Sequence, residues 1–198
     1  MLESRHVEHH AALTRRRFLG FGALAAAAAL APGRAFASAR PAPAASPGAA
    51  RVLSFFNLHT GERLRTAYCC AGEYQPDALN AINHILRDFR TNEIKPIDTK
   101  LLDLLHELGG TVEADAPFHV ISGYRSPHTN AVLRARGGAS SGVASGSLHQ
   151  VGKAIDIRVP GVKLDHLRGA ARSLKLGGVG YYPSSNFVHV DTGRVRFW

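Results

Sequence analysis

The apolar positions from residue 51 onward mark out a succession of short elements. Arg51 to Asn57 and Arg63 to Cys69 read as strands, and the His59-Thr60-Gly61-Glu62 break between them suits a hairpin turn. Over Pro76 to Arg90, Leu79, Ile82, Leu86 and Phe89 recur at spacings of three and four, the stripe of a helix. Asp98 is placed to cap a second helix whose stripe is Leu101, Leu102, Leu105 and Leu108, with Gly109-Gly110 as its expected stop. Phe118 to Gly123 reads as a strand. Ser126-Pro127 then supplies an N-cap and a first-turn proline for a short helix reaching about Arg136. A Gly/Ser-rich loop, Gly137 to Ser147, leads into a strand over Val151 to Val159. Leu164 to Leu174 follows as a helix, with Gly177-Gly178 as its stop. Val179 to Tyr182 and Phe187 to Asp191 close the chain as strands around a Pro183-Ser184-Ser185 turn. A hairpin, then paired helices, then strands with helices inserted predict an α+β domain: a mainly antiparallel sheet flanked by helices. No internal repeat is present.

Alternation decides which side chains can meet. On a strand through Val151–Val159, Ala154, Asp156 and Arg158 share one face, and Ile155 and Ile157 share the other. The isoleucines belong to the core, which turns Asp156 away from it. On the last strand Val188 and Val190 face one side, His189 and Asp191 the opposite one. The expected result is a cleft floored by a sheet, with polar groups on its open face.

The first residues stand apart from this pattern. Arg15-Arg16-Arg17 precede an apolar, alanine-rich stretch over residues 18–31, and Ala35-Phe36-Ala37 has the A-x-A form of a cleavage site. Residues 1–37 are therefore read as a signal peptide, removed near Ser38. The stretch is shorter than the ~20 residues a membrane span needs, so no stable membrane insertion is expected after processing. Arg15-Arg16 with Phe18-Leu19 resembles the twin-arginine export signal, although Thr14 and Gly20 stand where serine and lysine are common. The expected destination is the periplasm or beyond. Residues 38–50, rich in proline, alanine and serine, read as a tether, which leaves 51–198 as one folded domain.

The chain carries a net charge of +9, and the leader takes only part of it. A basic domain attracts anionic polymers. Outside the cytoplasm, and without a basic helix or an aromatic stacking motif in the sequence, nucleic acid is not the expected partner; an anionic cell wall is. Cys69 and Cys70 are adjacent, and a bridge between neighbours would depart from ordinary disulfide geometry. They lack the Cys-x-x-Cys spacing of metal ligands, and at least one of them suits a small buried apolar position.

Two segments far apart carry the chemistry: Ser147-Leu-His149-Gln-Val-Gly152-Lys-Ala-Ile-Asp156 and Phe187-Val-His189-Val-Asp191. Two imidazoles and a carboxylate form a common catalytic zinc set that leaves a fourth position open. Eight histidines follow residue 50, and composition cannot choose among them; local context singles out His149 and His189.

That context resembles a known family. Ser147-x-His149-x-x-Gly152-x-Ala154-x-Asp156 is similar to the zinc-binding signature of the D-alanyl-D-alanine metallopeptidase superfamily. The run from Gly177 to Gly193 resembles its murein endopeptidase K branch in particular. So do Asn57-Leu-His-Thr-Gly-Glu62, Asp88-Phe-Arg90 and Ile121-Ser-Gly-Tyr-Arg-Ser126. The resemblance implies one Zn2+ held by His149, Asp156 and His189, with the zinc site on the open face of the sheet. It implies that Arg125 faces the substrate carbonyl or carboxylate, where a guanidinium can stabilise an oxyanion; a structural ion pair is the other reading of Arg125. Many members place a Glu three residues before the last ligand, where this chain has Asn186, which cannot take a proton. Asp191, on the same side as His189, either takes that proton or orients His189 through its second ring nitrogen; both roles stand.

The activity implied is a zinc-dependent endopeptidase cutting peptide cross-links of peptidoglycan (murein), at bonds involving meso-diaminopimelate or D-alanine. Two alternatives are a D-alanyl-D-alanine carboxypeptidase of the same chemistry and a wall-binding module with a structural metal. Asn186 is the support for the last.

Overall fold

A computed structural model of the chain describes residues 48–113, 115–137 and 143–198. The proposed leader 1–37, most of the tether (38–47) and part of the Gly/Ser loop (138–142) lie outside the described residues. The order of elements is β1 (Arg51–Asn57), β2 (Arg63–Cys70), β3 (Glu73–Tyr74), α1 (Pro76–Ile85), α2 (Thr99–Thr111), β4 (Phe118–Ser122), α3 (Pro127–Gly137), a 3-10 turn (Leu148–Val151), β5 (Ala154–Arg158), α4 (Leu164–Leu174), β6 (Gly178–Tyr182), a second 3-10 turn (Pro183–Ser185), β7 (Phe187–Asp191) and β8 (Arg196–Phe197).

The strands form one sheet in the order β3-β2-β1-β4-β5-β7-β6-β8. The class is α+β, as expected, but the sheet is mixed where the sequence suggested a mainly antiparallel one. β1 runs parallel to β4, and β6 parallel to β8. The reason is that turn signals mark only local, antiparallel pairings. The β1–β4 pairing is instead reached by a crossover through β2, β3, α1 and α2.

One face of the sheet is the core. Leu53 and Phe55 of β1, Val120 of β4, Ile155 and Ile157 of β5, and Val188 and Val190 of β7 are buried with Ile82 of α1, the leucines of α2 and Leu167 of α4. The opposite face carries the polar members of the same strands. Among the described residues, no helix is long and apolar enough to cross a membrane.

Helix ends differ from the expected ones for local reasons. α1 stops at Ile85 rather than Arg90, because the chain then folds on itself: Asp88 N donates to Glu93 O (3.0 Å) and Asn92 N to Asp88 O (2.7 Å). Phe89, expected on the helical stripe, stacks instead on His59 with ring centroids 3.8 Å apart. α2 begins as predicted, with the Asp98 side chain accepting from Lys100 N, but it runs through Gly109-Gly110 to Thr111. α3 is capped by Ser126, whose hydroxyl accepts from Thr129 N at 3.2 Å. α4 spans the predicted residues and ends on Lys175 in the left-handed region, not at the Gly pair.

The strand expected from Val151 begins only at Ala154, since Leu148–Val151 first make a 3-10 turn. Gly152 ends that turn at φ 68°, and a Cβ there would lie 2.3 Å from Pro96 O, so glycine alone fits. β4 carries an irregularity between Val120 and Ser122, which sets Ser122 opposite Asp156 at the foot of the site.

Candidate metal centre

Sheet register assembles the site. Asp156 on β5 pairs with His189 on β7, and both lie on the face opposite Ile155, Ile157, Val188 and Val190. His149 arrives from the 3-10 turn just before β5. Its ring is fixed by Nδ1, which donates to Gly123 O at 2.8 Å, so Nε2 turns toward Asp156 as a lone pair. His189 is fixed at its other end: Nε2 donates to Asp191 Oδ2 at 3.0 Å, leaving Nδ1 as the lone pair.

Three acceptors therefore converge. His149 Nε2 lies 3.2 Å from His189 Nδ1 and 3.3 Å from Asp156 Oδ1, and His189 Nδ1 lies 2.9 Å from the same oxygen. In these neutral tautomers three lone pairs face one another, and the arrangement needs positive charge at its centre, from a metal ion or from a second proton on His189. An ion bonded at about 2.0–2.1 Å to tetrahedral N and O ligands holds them about 3.3 Å apart, close to these separations. The donor set thus fits a metal ion, and all three residues are buried.

The electrostatics agree. Burial pushes the Asp156 carboxyl up, but His149 and His189 outweigh it and hold it well below the usual range. Burial likewise pushes His189 down, and its bonds to Asp156 and Asp191 more than reverse that.

Arg125 flanks the cluster. Its backbone N–H donates to His149 O at 3.2 Å, and the residue as a whole is 8% exposed. Nη2 stands 3.4 Å from both Asp156 Oδ2 and Ser122 Oγ, and Nη1 stands 3.5 Å from Asn130 Oδ1. These contacts are long, and the buried Nε has no partner at all among the described residues. Burial depresses its pKa. An orphaned guanidinium N–H beside a cavity is a donor placed for a ligand. The cavity, of about 170 Å³, is lined by Arg125, the three clustered residues and a rim that includes Tyr182, Phe187 and Trp198. Residues 143, 144, 146 and 147 of the Gly/Ser segment and Leu148 of the 3-10 turn also line it.

Asp191 sits behind His189. It is fully buried, and both oxygens are engaged. Oδ1 accepts from Gly178 N, Gly193 N and Arg196 Nη1, and Oδ2 from His189 Nε2 and Arg196 Nη2. Burial pushes this carboxyl up, but His189, Arg196 and Gly193 hold it well below the usual range. Asn186 is exposed in the turn before β7 and does not line the cavity.

Two contributors were not singled out from the sequence. Trp198 lies with its ring centroid 5.3 Å from that of His189, and its Nε1 donates to the Tyr182 hydroxyl at 2.8 Å. Gly180, opposite His189 in register, makes the room: a Cβ there would meet the indole at 2.7 Å. Arg196 clamps Asp191 and stacks under Trp198. Both belong to a terminal segment that carries no apolar period. Of the adjacent tyrosines, Tyr182 faces the cavity while Tyr181 packs against the core. Cys69 is buried and accepts from Arg51 Nη2, remote from the cluster in the sheet.

Residues 45–198 match the family described as Peptidoglycan L,D-endopeptidase MepK. The Peptidoglycan L,D-endopeptidase MepK of Escherichia coli (strain K12) is 45% identical over 185 residues, covering 93% of this chain and 96% of that protein. The protein of the same name from Shigella flexneri matches to the same extent. The Probable peptidoglycan L,D-endopeptidase MepK of Haemophilus influenzae is 40% identical over 186 residues, covering 93% of this chain and 95% of that protein.

Proposed function

Because this chain belongs to the peptidoglycan L,D-endopeptidase MepK family, we propose that it is a metal-dependent endopeptidase that hydrolyses peptide cross-links of peptidoglycan. The observation that carries the reading is the convergence of His149 Nε2, Asp156 Oδ1 and His189 Nδ1 beside a solvent-connected cavity. These three side chains would hold the metal, and zinc is the ion that two imidazoles and one carboxylate suit best. When bound, the ion supplies Lewis acidity and acidifies a water molecule.

The chain's own groups do the rest. Asp191 is a positioning residue: by accepting the Nε2 proton it holds His189 in the tautomer whose Nδ1 is free to ligate. With five donors already on its two oxygens, it has no capacity to take a further proton from water, which favours orientation over the base role. Arg125 donates to the oxygen of the scissile amide as that carbon becomes tetrahedral, and its unpartnered Nε–H is the group best placed to do so. Tyr182, Phe187 and Trp198 bound one side of the cleft and limit water around the reacting bond.

In the same proposal residues 1–37 are a twin-arginine-type signal peptide, 38–50 a tether, and 51–198 the catalytic domain acting in the periplasm. The leader composition and the cell-wall substrate of the relatives support this placement.

Digestion of purified peptidoglycan tests the reading. The full chain with zinc is expected to convert cross-linked dimers to monomers, and chelator treatment or H189A to abolish this. Intact dimers with one tightly bound zinc per chain would overturn it in favour of a binding module, and released D-alanine in favour of a carboxypeptidase.

A further inference from the structure

The open face of the sheet carries a second row of side chains, next to the row that holds the metal cluster. β-register places Arg63 of β2 beside Phe56 of β1, Phe56 beside His119 of β4, and His119 beside Arg158 of β5. The β5–β7 pairing runs to Ile157–Val188, and its register carried one residue further sets Arg158 toward Phe187, which pairs with Tyr182 of β6. Arg158 lies two residues beyond Asp156 on the same strand face, so this row runs about 7 Å from the cluster and parallel to it.

Side-chain contacts tie the row together at both ends. Tyr182 stacks on Phe187 with centroids 4.6 Å apart, His119 meets Phe56 edge-on at 5.1 Å, and the Arg63 guanidinium lies 3.9 Å over the Phe56 ring. Its members are partly or fully exposed. Neither Arg63 nor Arg158 has a carboxylate partner among the described residues, where Arg51, Arg87, Arg125 and Arg196 all do. Burial, then the charges of Arg158 and Arg63, depress the pKa of His119, as expected for a site crowded with positive charge and lacking counter-charge. Three strand spacings separate Arg63 from Arg158, about 14 Å, or some four residues of extended peptide.

We propose that this row is the docking surface for the carboxylate-bearing peptide arm of the cross-linked substrate, laid across the sheet from the cleft to Arg63. Uncompensated guanidinium groups at the cleft mouth and on β2 complement an acidic, extended peptide, and the rings between them pack its apolar atoms. The row begins at Tyr182 and Phe187, which already line the cavity, so one bound strand reaches both. This inference rests on the endopeptidase reading and names the part of the substrate that the reading leaves unplaced.

The test uses the full zinc-loaded chain, a glycan-free cross-linked peptide dimer, and the same dimer with its free carboxylates amidated. Arg63 is exposed and far from the cluster, so R63E is expected to act on KM rather than on kcat, with Tm measured beside it as the check on folding. It is expected to raise KM for the dimer on the order of fivefold, with R63K restoring it. The amidated dimer should show no difference between wild type and R63E. Equal KM values on the free-carboxylate dimer would overturn the proposal. So would single-stranded oligonucleotide binding that R63E abolishes while peptide kinetics stay unchanged, which would assign the row to nucleic acid. If wild type fails to cleave the dimer, the endopeptidase reading fails by itself. Dimer affinity, read from the fluorescence of Trp198, then decides the docking question: weaker binding by R63E sustains it, and equal binding overturns it.

Discussion

His189 Nε2 donates to Asp191 Oδ2 at 3.0 Å, across two positions of one strand, and Arg196 grips the same carboxylate from the other side. The pair fixes which nitrogen of His189 faces Asp156. An amide at position 191 must turn an NH2 group toward either a ring N–H or a guanidinium. Asp191→Asn is therefore expected to lower metal affinity about 10- to 100-fold while leaving His149, Asp156 and His189 in place. Competition with a chelator of known affinity measures it.

Arg125 makes only long contacts with its neighbours and keeps a buried N–H free. Arg125→Gln is expected to reduce kcat on the order of 10²- to 10³-fold with one metal per chain retained. Metal analysis alongside steady-state rates checks this. A fall in Tm with kcat preserved would mean that Arg125 is a structural ion-pair partner of Asp156 instead.

Trp198 is the only tryptophan of the chain, and its indole lies beside His189. Zinc titration should therefore change the intrinsic fluorescence, saturating at one ion per chain, and His189→Ala should abolish the change. Gly180→Ala pushes a methyl group to 2.7 Å from the indole. The exposed ring is expected to swing off His189, shifting the apo emission with little change in Tm.

Asp88 accepts from Ser126 N at 2.8 Å and Arg90 N at 3.0 Å and is 1% exposed. Burial raises its pKa, but the hydrogen bonds it receives outweigh burial and leave it below the ordinary value. Its ionised form is thus stabilised by folding. That contribution is complete above the unfolded pKa, near 4, and is lost as pH falls through the lower folded value. Wild-type Tm should drop below about pH 4. Asp88→Asn should be less stable at pH 7 by about 1–3 kcal/mol and lose less on acidification.

Much of this was legible in the sequence because its signals are local. The alternation Ala154-Ile155-Asp156-Ile157-Arg158 and the Val188/Val190 pair assign faces without knowledge of partners, and they assign them as found. Ser126 and Asp98 announce their helices by caps. The parallel β1–β4 pairing, the row from Tyr182 to Arg63 and the Trp198 lid on His189 are relations between segments tens of residues apart, and no periodicity encodes them. Phe89 shows the same limit from the other side: its spacing fits the α1 stripe, but hydrogen bonds within residues 88–93 end the helix first.

The pairing of Ile157 with Val188 and of Ile155 with Val190, on the core side, is also what sets Asp156 opposite His189. A slip of one residue would turn a strand's whole polar set into the core and its isoleucines or valines into water, at a cost of several kcal/mol. The greasy side of the sheet thus works as a ruler for the polar side, and errors in assembling the His–Asp–His cluster are proofread by residues that never touch it.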